Sequence, residues 1–396
     1  MIMANNNENK ILNVPHLRFP EFTGEWESFK LTELGKFIGG GTPSSSNLSF
    51  WAGSIPWISS SDIKEDSINN ISISRYITEE AIEKSTTKYC PAPVILIVSR
   101  VGVGKVALSY TSLCTSQDFC NIIEIKCHPV FLSYNLLRTM KRKSREVQGT
   151  SIKGITSDEL QKIRVFIPQD KDEQNKISNI LTLLDERIAT QNKIIEDLKK
   201  LKSAIIHRCY SSQTNMIPLS ELLKQCSDRN RSGSDLQVLS VSNKYGFIAQ
   251  SNQFEDREVA SDDTSNYKVV KKGMFAYNPA RINVGSIALY EMDGNGIVSP
   301  MYVCFTTKSE LLPSYLKYYF ASQTFKHEMY KRLEGSVRLC LTFEELCNIE
   351  IHLPSIEQQK NISKYISKIE NNLSLVDSIF SKYQQQRRYL LSQMFI

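Results

Sequence analysis

The stretch from Gly149 to Ile163, running on to Pro168, returns as Gly335 to Ile349, running on to Pro354, at an offset of 186. One deleted residue later the offset becomes 185 and holds to the C-terminus. Over that tail Ile177, Leu181, Leu184, Ile188, Ile195, Leu198 and Ile205 align with Ile362, Ile366, Ile369, Leu373, Phe380, Tyr383 and Leu390. With the seam positions Gln191 and Lys202 included, the spacings alternate four and three, the seam of a heptad helix. The two halves also begin alike, with Lys30-Leu-Thr-Glu-Leu echoed by Pro218-Leu-Ser-Glu-Leu. A chain that repeats its ends and lets its middle diverge describes one scaffold presenting two different binding surfaces, as recognition of a bipartite target requires.

Length and composition agree. A chain of 396 residues is too long for one ordinary core, and two units of ~150 residues plus helical connectors fit the usual domain size. The net charge of +6 leans mildly toward an anionic partner. Nine cysteines with no Cys-x-x-Cys pair and no signal peptide read as reduced, cytoplasmic thiols. Cys120, Cys127 and His128 match no structural-zinc spacing, so no metal site is expected. No apolar run approaches the ~20 residues of a membrane span.

Residues 1–13 are Asn-rich and read as a polar tail. Short apolar runs bounded by Gly, Pro, Ser and Asn read as strands: Ile55-Pro-Trp-Ile, Val94-Ile-Leu-Ile-Val and Asn121-Ile-Ile-Glu-Ile, then Val238-Leu-Ser-Val, Met274-Phe-Ala-Tyr and Met301-Tyr-Val-Cys-Phe. Helical stretches near 131–147 and 313–333 close each half. From Asp172 to Cys209 there is no Gly or Pro, and a helix of that length runs ~55 Å at 1.5 Å per residue. The seam carries Lys202 in one helix and Arg387 at the equivalent place in the other. Parallel pairing would set these two cations side by side. Antiparallel pairing sets each against an apolar neighbour and gives the repeat a two-fold axis, so antiparallel is expected. The fold class is therefore mixed α/β (α+β), with two similar domains joined by two long antiparallel coiled-coil helices in a pseudo-two-fold repeat.

The duplicated order of these features resembles the DNA-specificity (S) subunit of type I restriction-modification systems. The residues that carry the resemblance are Gly149 through Pro168 with Glu173-Gln174 and Ile177, and Gly335 through Pro354 with Glu357-Gln358 and Ile362. Gly40-Gly-Thr-Pro with Trp51, Gly53 and Ile55-Pro-Trp57 adds to it in the first domain, and Phe275-Ala-Tyr-Asn-Pro-Ala-Arg281 with Gly285 in the second. The resemblance implies target-recognition domains at 14–168 and 211–353, separated by long helices at 169–210 and 354–396. It also implies double-stranded DNA with a bipartite target as ligand, and two methyltransferase (M) subunits as partners, through which restriction (R) subunits join. S-adenosylmethionine and ATP would sit on those partners and no cofactor on this chain.

Backbone anchoring needs Lys, Arg and small hydroxyl residues, and base reading needs Arg, Lys, Asn, Gln or carboxylates. In the first domain the DNA-binding candidates are Gly41, Thr42, Ser44 and Ser45, the run Ser59, Ser60, Ser61 and Asp62, Arg100 with Lys105, and Ser151 with Lys153. In the second they are Asn243, Lys244, Asn278, Arg281, Ser336 and Arg338. Arg100-x-x-x-Gly104 and Arg281-x-x-x-Gly285 align at an offset of 181, which gives the two arginines equivalent places. The basic run from Arg138 to Arg145 reads as a solvated helix face or a phosphate track.

Catalytic motifs fail on inspection. Val101-Gly-Val-Gly-Lys-Val lacks the first glycine and the hydroxyl residue of a phosphate loop. Asn278-Pro-Ala-Arg lacks the second proline and aromatic residue of amino-methyltransferases, and the five histidines form neither metal nor triad spacing. The chain is therefore expected to be non-catalytic. A coiled-coil adaptor binding proteins, or a single-chain methyltransferase fragment, stand as the alternatives. Salt-dependent binding to random duplex separates the first from a DNA reader, and cofactor crosslinking tests the second.

Overall fold

The computed structural model describes residues 13–147, 154–212, 214–231, 233–250, 263–334 and 339–396. They fall into two compact units, Met1–Asn192 with Ile379–Ile396, and Lys193–Ser378.

Unit 1 contains strands β1 (Glu27–Lys30), β2 (Lys36–Gly39), β3 (Ile55–Ile58), β4 (Arg75–Ile77), β5 (Tyr89–Cys90), β6 (Val94–Ile97), β7 (Val106–Ser109), β8 (Leu113–Thr115), β9 (Cys120–Ile123) and β10 (Arg164–Ile167). Its helices are α1 (Leu31–Leu34), α2 (Glu79–Glu83), α3 (Pro129–Val147), α4 (Ser157–Lys162) and the first half of α5 (Lys171–Tyr210). The strands build a β1-β10 pair and two four-stranded sheets, ordered β2-β9-β6-β7 and β4-β3-β8-β5. The apolar run at Val94 explains why two sheets meet here. Side chains alternate across a strand, so Ile95 and Ile97 join the core under α3 while Val94, Leu96 and Val98 join a second core shared with Ile58, Leu113 and Phe119.

Unit 2 contains β11 (Met216–Pro218), β12 (Leu223–Cys226), β13 (Gln237–Ser242), β14 (Gly246–Ala249), β15 (Lys268–Val270), β16 (Phe275–Tyr277), β17 (Ile287–Leu289), β18 (Gly296–Val298), β19 (Val303–Thr307) and β20 (Glu350–His352). Its helices are α6 (Leu219–Leu222), α7 (Pro313–Phe320), α8 (Gln323–Lys331), α9 (Phe343–Cys347) and most of α10 (Ile356–Gln393). The sheets are β11-β20, β12-β19-β16-β17 and β14-β13-β18-β15. Each order is that of unit 1 with ten added to every strand number, down to the single parallel pairing, β3 with β8 and β13 with β18. The diverged middle of the repeat thus keeps its topology. The helical stretch expected over 313–333 is two helices, because Ser322 caps a new one by accepting from the Phe325 amide.

The duplication extends to side-chain braces. Thr156 and Thr342 both cap short helices ahead of the last strand, accepting from the amides of Glu159 and Glu345. Gln174 Nε2 donates to the Pro168 carbonyl while its Oε1 accepts from the His128 amide. Gln359 does the same with Pro354 and Leu312. The structural counterpart of Gln174 is therefore Gln359, one residue beyond the Gln358 that the Glu-Gln match had paired with it. Gln358 instead caps α10 through Ser355.

On α5 and α10 the seam residues Ile177, Leu181, Leu184, Ile195, Ile366, Ile369 and Leu390 are buried, and Ile188, Leu198, Ile205, Ile362, Leu373, Phe380 and Tyr383 are half-buried. Two ion pairs fix the direction. In unit 1 the Arg387 guanidinium grips the Asp185 carboxylate, and in unit 2 Lys202 Nζ lies 2.6 Å from Glu370 Oε1. Moving 17 residues forward on α5 moves 17 back on α10, so the pairing is antiparallel. The seam cations therefore face carboxylates, and the apolar neighbours expected for them are replaced by Asp185 and Glu370. These two acids are themselves 185 apart and so occupy equivalent places in the repeat. A tyrosine from each domain completes the motif: Tyr134 donates to Asp185 at 2.9 Å and Tyr318 to Glu370 at 2.9 Å.

The two pairs differ in environment. Arg387 and Asp185 are 8% and 9% exposed, whereas Lys202 and Glu370 are 27% and 34% exposed. Asp185→Leu, which leaves Arg387 buried and unpaired, should cost about 3 to 5 kcal/mol of unit 1 stability, while Glu370→Leu should cost about 1 kcal/mol or less. Urea unfolding of the two variants measures the contrast, and Asp185→Leu with Arg387→Met should recover most of the loss.

Candidate nucleic-acid interface

The β3/β8 parallel pair ends in a group of turns. The Ser116 amide donates to the Ile58 carbonyl at 2.9 Å, which places the residues after β8 beside Ser59. Thr42 bonds the Gln117 side chain from the first loop. The Ser99 amide bonds the Asp118 carbonyl at 2.8 Å, which brings in the turn bearing Arg100. Lys105 Nζ donates to the Ser60 carbonyl at 3.0 Å. Three candidate segments far apart in sequence, 41–45, 59–62 and 99–105, thus converge on the end of β8.

Their side chains divide by how fully they are used. Gly41 is buried, and its carbonyl accepts from Trp57 Nε1 at 3.0 Å and Thr87 Oγ1 at 2.8 Å. A Cβ at Gly41 would fall 2.4 Å from the Thr86 carbonyl carbon, so the close approach requires glycine there. Ser44 and Ser45 are exposed, and Ser44 bonds Ser46 and Trp51. Ser59 and Asp62 form a capping box, Ser61 bonds Ser59, and Ser60 is buried. Arg75 holds the turn together, donating to Ser59 Oγ at 2.7 Å, pairing with Asp62 and stacking 4.5 Å over the Trp57 ring. Sequence reasoning missed Arg75 and Gln117, because their roles come from contacts with residues distant in sequence, Asp62 and Trp57 for Arg75 and Thr42 for Gln117. Arg100 is exposed and makes no hydrogen bond or ion pair among the described residues.

Unit 2 repeats the layout after β13 and β16. Asn243 and Lys244 sit exposed in the β13–β14 turn, beside Tyr245 at 68% exposure, with Lys244 Nζ 4.9 Å from that ring. Asn278 caps the 3-10 turn 279–284 by accepting from the Ala280 amide. Arg281 in that turn is exposed and unpaired among the described residues. The turns at 243 and 285 touch, since a Cβ on Gly285 would lie 3.4 Å from Asn243 Cβ. Gly104 and Gly285 have φ of +109° and +93°, a region that favours glycine. They close equivalent turns after the equivalent strands β6 and β16, so Arg100 and Arg281 hold matching positions. A later segment of each unit is anchored on the equivalent turn, with Ile155 N bonded to the Ser99 carbonyl at 2.7 Å and Leu341 N to the Pro279 carbonyl at 3.1 Å. Ser151, Lys153, Ser336 and Arg338 lie outside the described residues.

The arrangement offers cations, amides and hydroxyls at the tips of turns set on a rigid sheet. That suits contact with phosphates and base edges. Among the described residues no group of three or more His, Cys, Asp and Glu could hold a metal ion. The cysteines near this region are packing residues, with burial pushing the Cys90 thiol to about 11 and that of Cys114 to about 12. His128 has its pKa lowered by burial and contacts Ser178 Oγ at 2.9 Å through Nδ1. No described helix is long and apolar enough to cross a membrane.

The family model for the type I restriction modification DNA specificity domain matches residues 23–200 and again 232–379. The type I restriction enzyme MjaIX specificity subunit of Methanocaldococcus jannaschii is 32% identical over 184 residues, 45% of this chain and 42% of that one. The EcoR124I/EcoR124II specificity subunit of Escherichia coli is 33% identical over 192 residues, 46% of each chain. Each match thus spans less than half of the relative's length. The fold is similar to a crystal structure of a type I restriction-modification S subunit from M. genitalium, with a TM-score of 0.63 at 16% identity over 97% of this chain and 99% of that one. A chain from a structural study of complex assembly and conformational transition in the type I R-M system gives a TM-score of 0.55 at 14% identity over 93% and 97%.

Stability does not depend on the two exposed arginines. Because each is exposed and unpaired, Arg100→Ala and Arg281→Ala should change stability by less than about 0.5 kcal/mol in urea melts. Arg75→Ala, which removes the pairing and the ring stacking, should lower it by about 1 kcal/mol or more.

Proposed function

Since the chain belongs to the type I restriction modification DNA specificity family, we propose that it is the non-catalytic, sequence-reading subunit of such a system. One domain reads each half of a split DNA target. The observation that carries the reading is the duplicated edge, where the same strand ends present exposed arginines at matching positions and differ in the surrounding turn residues. Equivalent frames with different tips are what two unlike half-sites require.

The long helices give this reading its geometry. Half-sites on one face of a duplex lie about one turn apart, ~34 Å, or a multiple of it. A braced helix pair can hold such a distance where a flexible linker could not. The outer surfaces of α5 and α10 are free of the seam and would dock two methyltransferase subunits, with restriction subunits joining through them. S-adenosylmethionine and ATP would bind those partners, and the assembly would work in the cytoplasm on double-stranded DNA.

The test is to select bound sequences from a randomised duplex library with the full chain in complex with its methyltransferase. The wild type should return a bipartite motif. Arg100→Ala should relax one half of the motif and Arg281→Ala the other, each base contact being worth about 1 to 3 kcal/mol. Relaxation of both halves by either substitution would contradict the assignment of one reader per half-site.

A further inference from the structure

We propose that unit 1 carries a phosphate-binding cleft beside its reading edge, which grips the duplex backbone flanking the half-site without reading its bases. This rests on the DNA-reading function above. The cleft encloses about 880 Å³ and has three walls: the loop 64–70, the face of α3 from Leu137 to Arg145, and the paired helix segments from Asp185 to Asn192 and Phe380 to Ser392.

Charge accounting favours an anion. Lys141 is engaged by Asp66 at 2.6 Å, Arg387 by Asp185, and Arg138 by the Ile396 carbonyl at 2.6 Å. Lys64, Arg142, Arg145 and Arg388 line the cleft, and their side chains make no ion pair or hydrogen bond among the described residues. Against them stand only Glu65 and Glu186 as lining carboxylates without an ion pair there. Cations therefore exceed acids among the uncommitted groups, and amides and hydroxyls such as Asn69 and Ser67 fill the space between.

A basic helix face alone would ordinarily be a solvated surface. Here it is concave, and it is continuous with the reading edge on two sides. A Cβ on Gly104 would lie 3.1 Å from Ser144 Oγ, so the Arg100 turn rests directly on α3. The opposing wall, 64–70, is the continuation of the Ser59–Asp62 turn. This closeness to the candidate reading turns favours nucleic-acid phosphate over an acidic peptide.

The cleft also breaks the repeat. With Tyr134 matched to Tyr318, the sequence offset of 184 sets Ser322, Phe325, Lys326 and Met329 against Arg138, Lys141, Arg142 and Arg145, and in unit 2 these residues belong to the new helix α8 and its cap and not to a continuation of α7. Phe325 and Met329 are buried in the core there, at 2% and 1% exposure.

The double substitution Arg142→Gln with Arg145→Gln, made in the full chain, tests the proposal against random-sequence duplex across a salt titration. Losing two phosphate contacts should make the slope of log affinity against log salt shallower by about 2, with the ratio of target to non-target affinity unchanged. Lys64→Gln on the opposite wall should remove about 1, and Lys326→Gln, set against Arg142 by that offset, should change nothing. An unaltered slope in the double variant overturns the proposal, as does a loss confined to the target sequence. Weaker retention of the methyltransferase with an unaltered slope would make the cleft a protein-docking surface and overturn it too. Absence of salt-dependent DNA binding by the wild-type chain would instead overturn the DNA-reading function on which the proposal rests.

Discussion

The ion pair between Asp185 and Arg387 fixes how α3, α5 and α10 meet in unit 1. It is nearly dry and receives a further hydrogen bond from Tyr134 of α3, so it joins three helices at one point. A buried pair of this kind contributes little net stability against an apolar substitute, but breaking it is costly, which makes it a device for fixing register. Its counterpart, Lys202 with Glu370 and Tyr318, repeats the arrangement in unit 2 with weaker chemistry and more water. Together they reject the parallel alignment and any slip of a heptad, because either would leave a charge facing the hydrophobic seam.

Helix ends complete what the ion pairs begin. In unit 1 Phe395, near the end of the chain, packs on Phe131 with ring centroids 5.2 Å apart. In unit 2 the aromatic 185 residues earlier, Tyr210, packs on Tyr315 at 4.7 Å. Each domain is thus closed by the end of the helix that belongs to the other repeat. With the scaffold secured by the repeated ends of the sequence, the turns between strands are left free to vary, and that is where the exposed Arg100, Lys244 and Arg281 lie.

How much of this was legible in the sequence follows from where the constraint resides. The seam and the antiparallel direction could be read because a heptad pattern and an offset of 185 are properties of one dimension. The same offset relates Asp185 to Glu370, so the ion pairs were within reach, but exposed-looking acids on a helix are ordinarily read as solvated. The common sheet order was not legible, since strands such as Tyr89–Cys90 and Gly296–Val298 are too short to carry a period. Arg75 escaped because its role comes from Trp57 and Asp62 meeting it in space. The equivalence of Arg100 and Arg281 was readable from the following glycines, whose positive φ closes both turns.

In the proposed function a braced helix pair sets the distance between two independent readers. Inserting seven residues at equivalent points of both α5 and α10 keeps the seam in phase and lengthens the pair by ~10 Å, about three base pairs of rise. Methylation sequencing of DNA from cells carrying the altered chain with its methyltransferase then reads the target directly. The account predicts unchanged half-sites with a spacer longer by about three base pairs. Altered half-sites at the original spacing would contradict it.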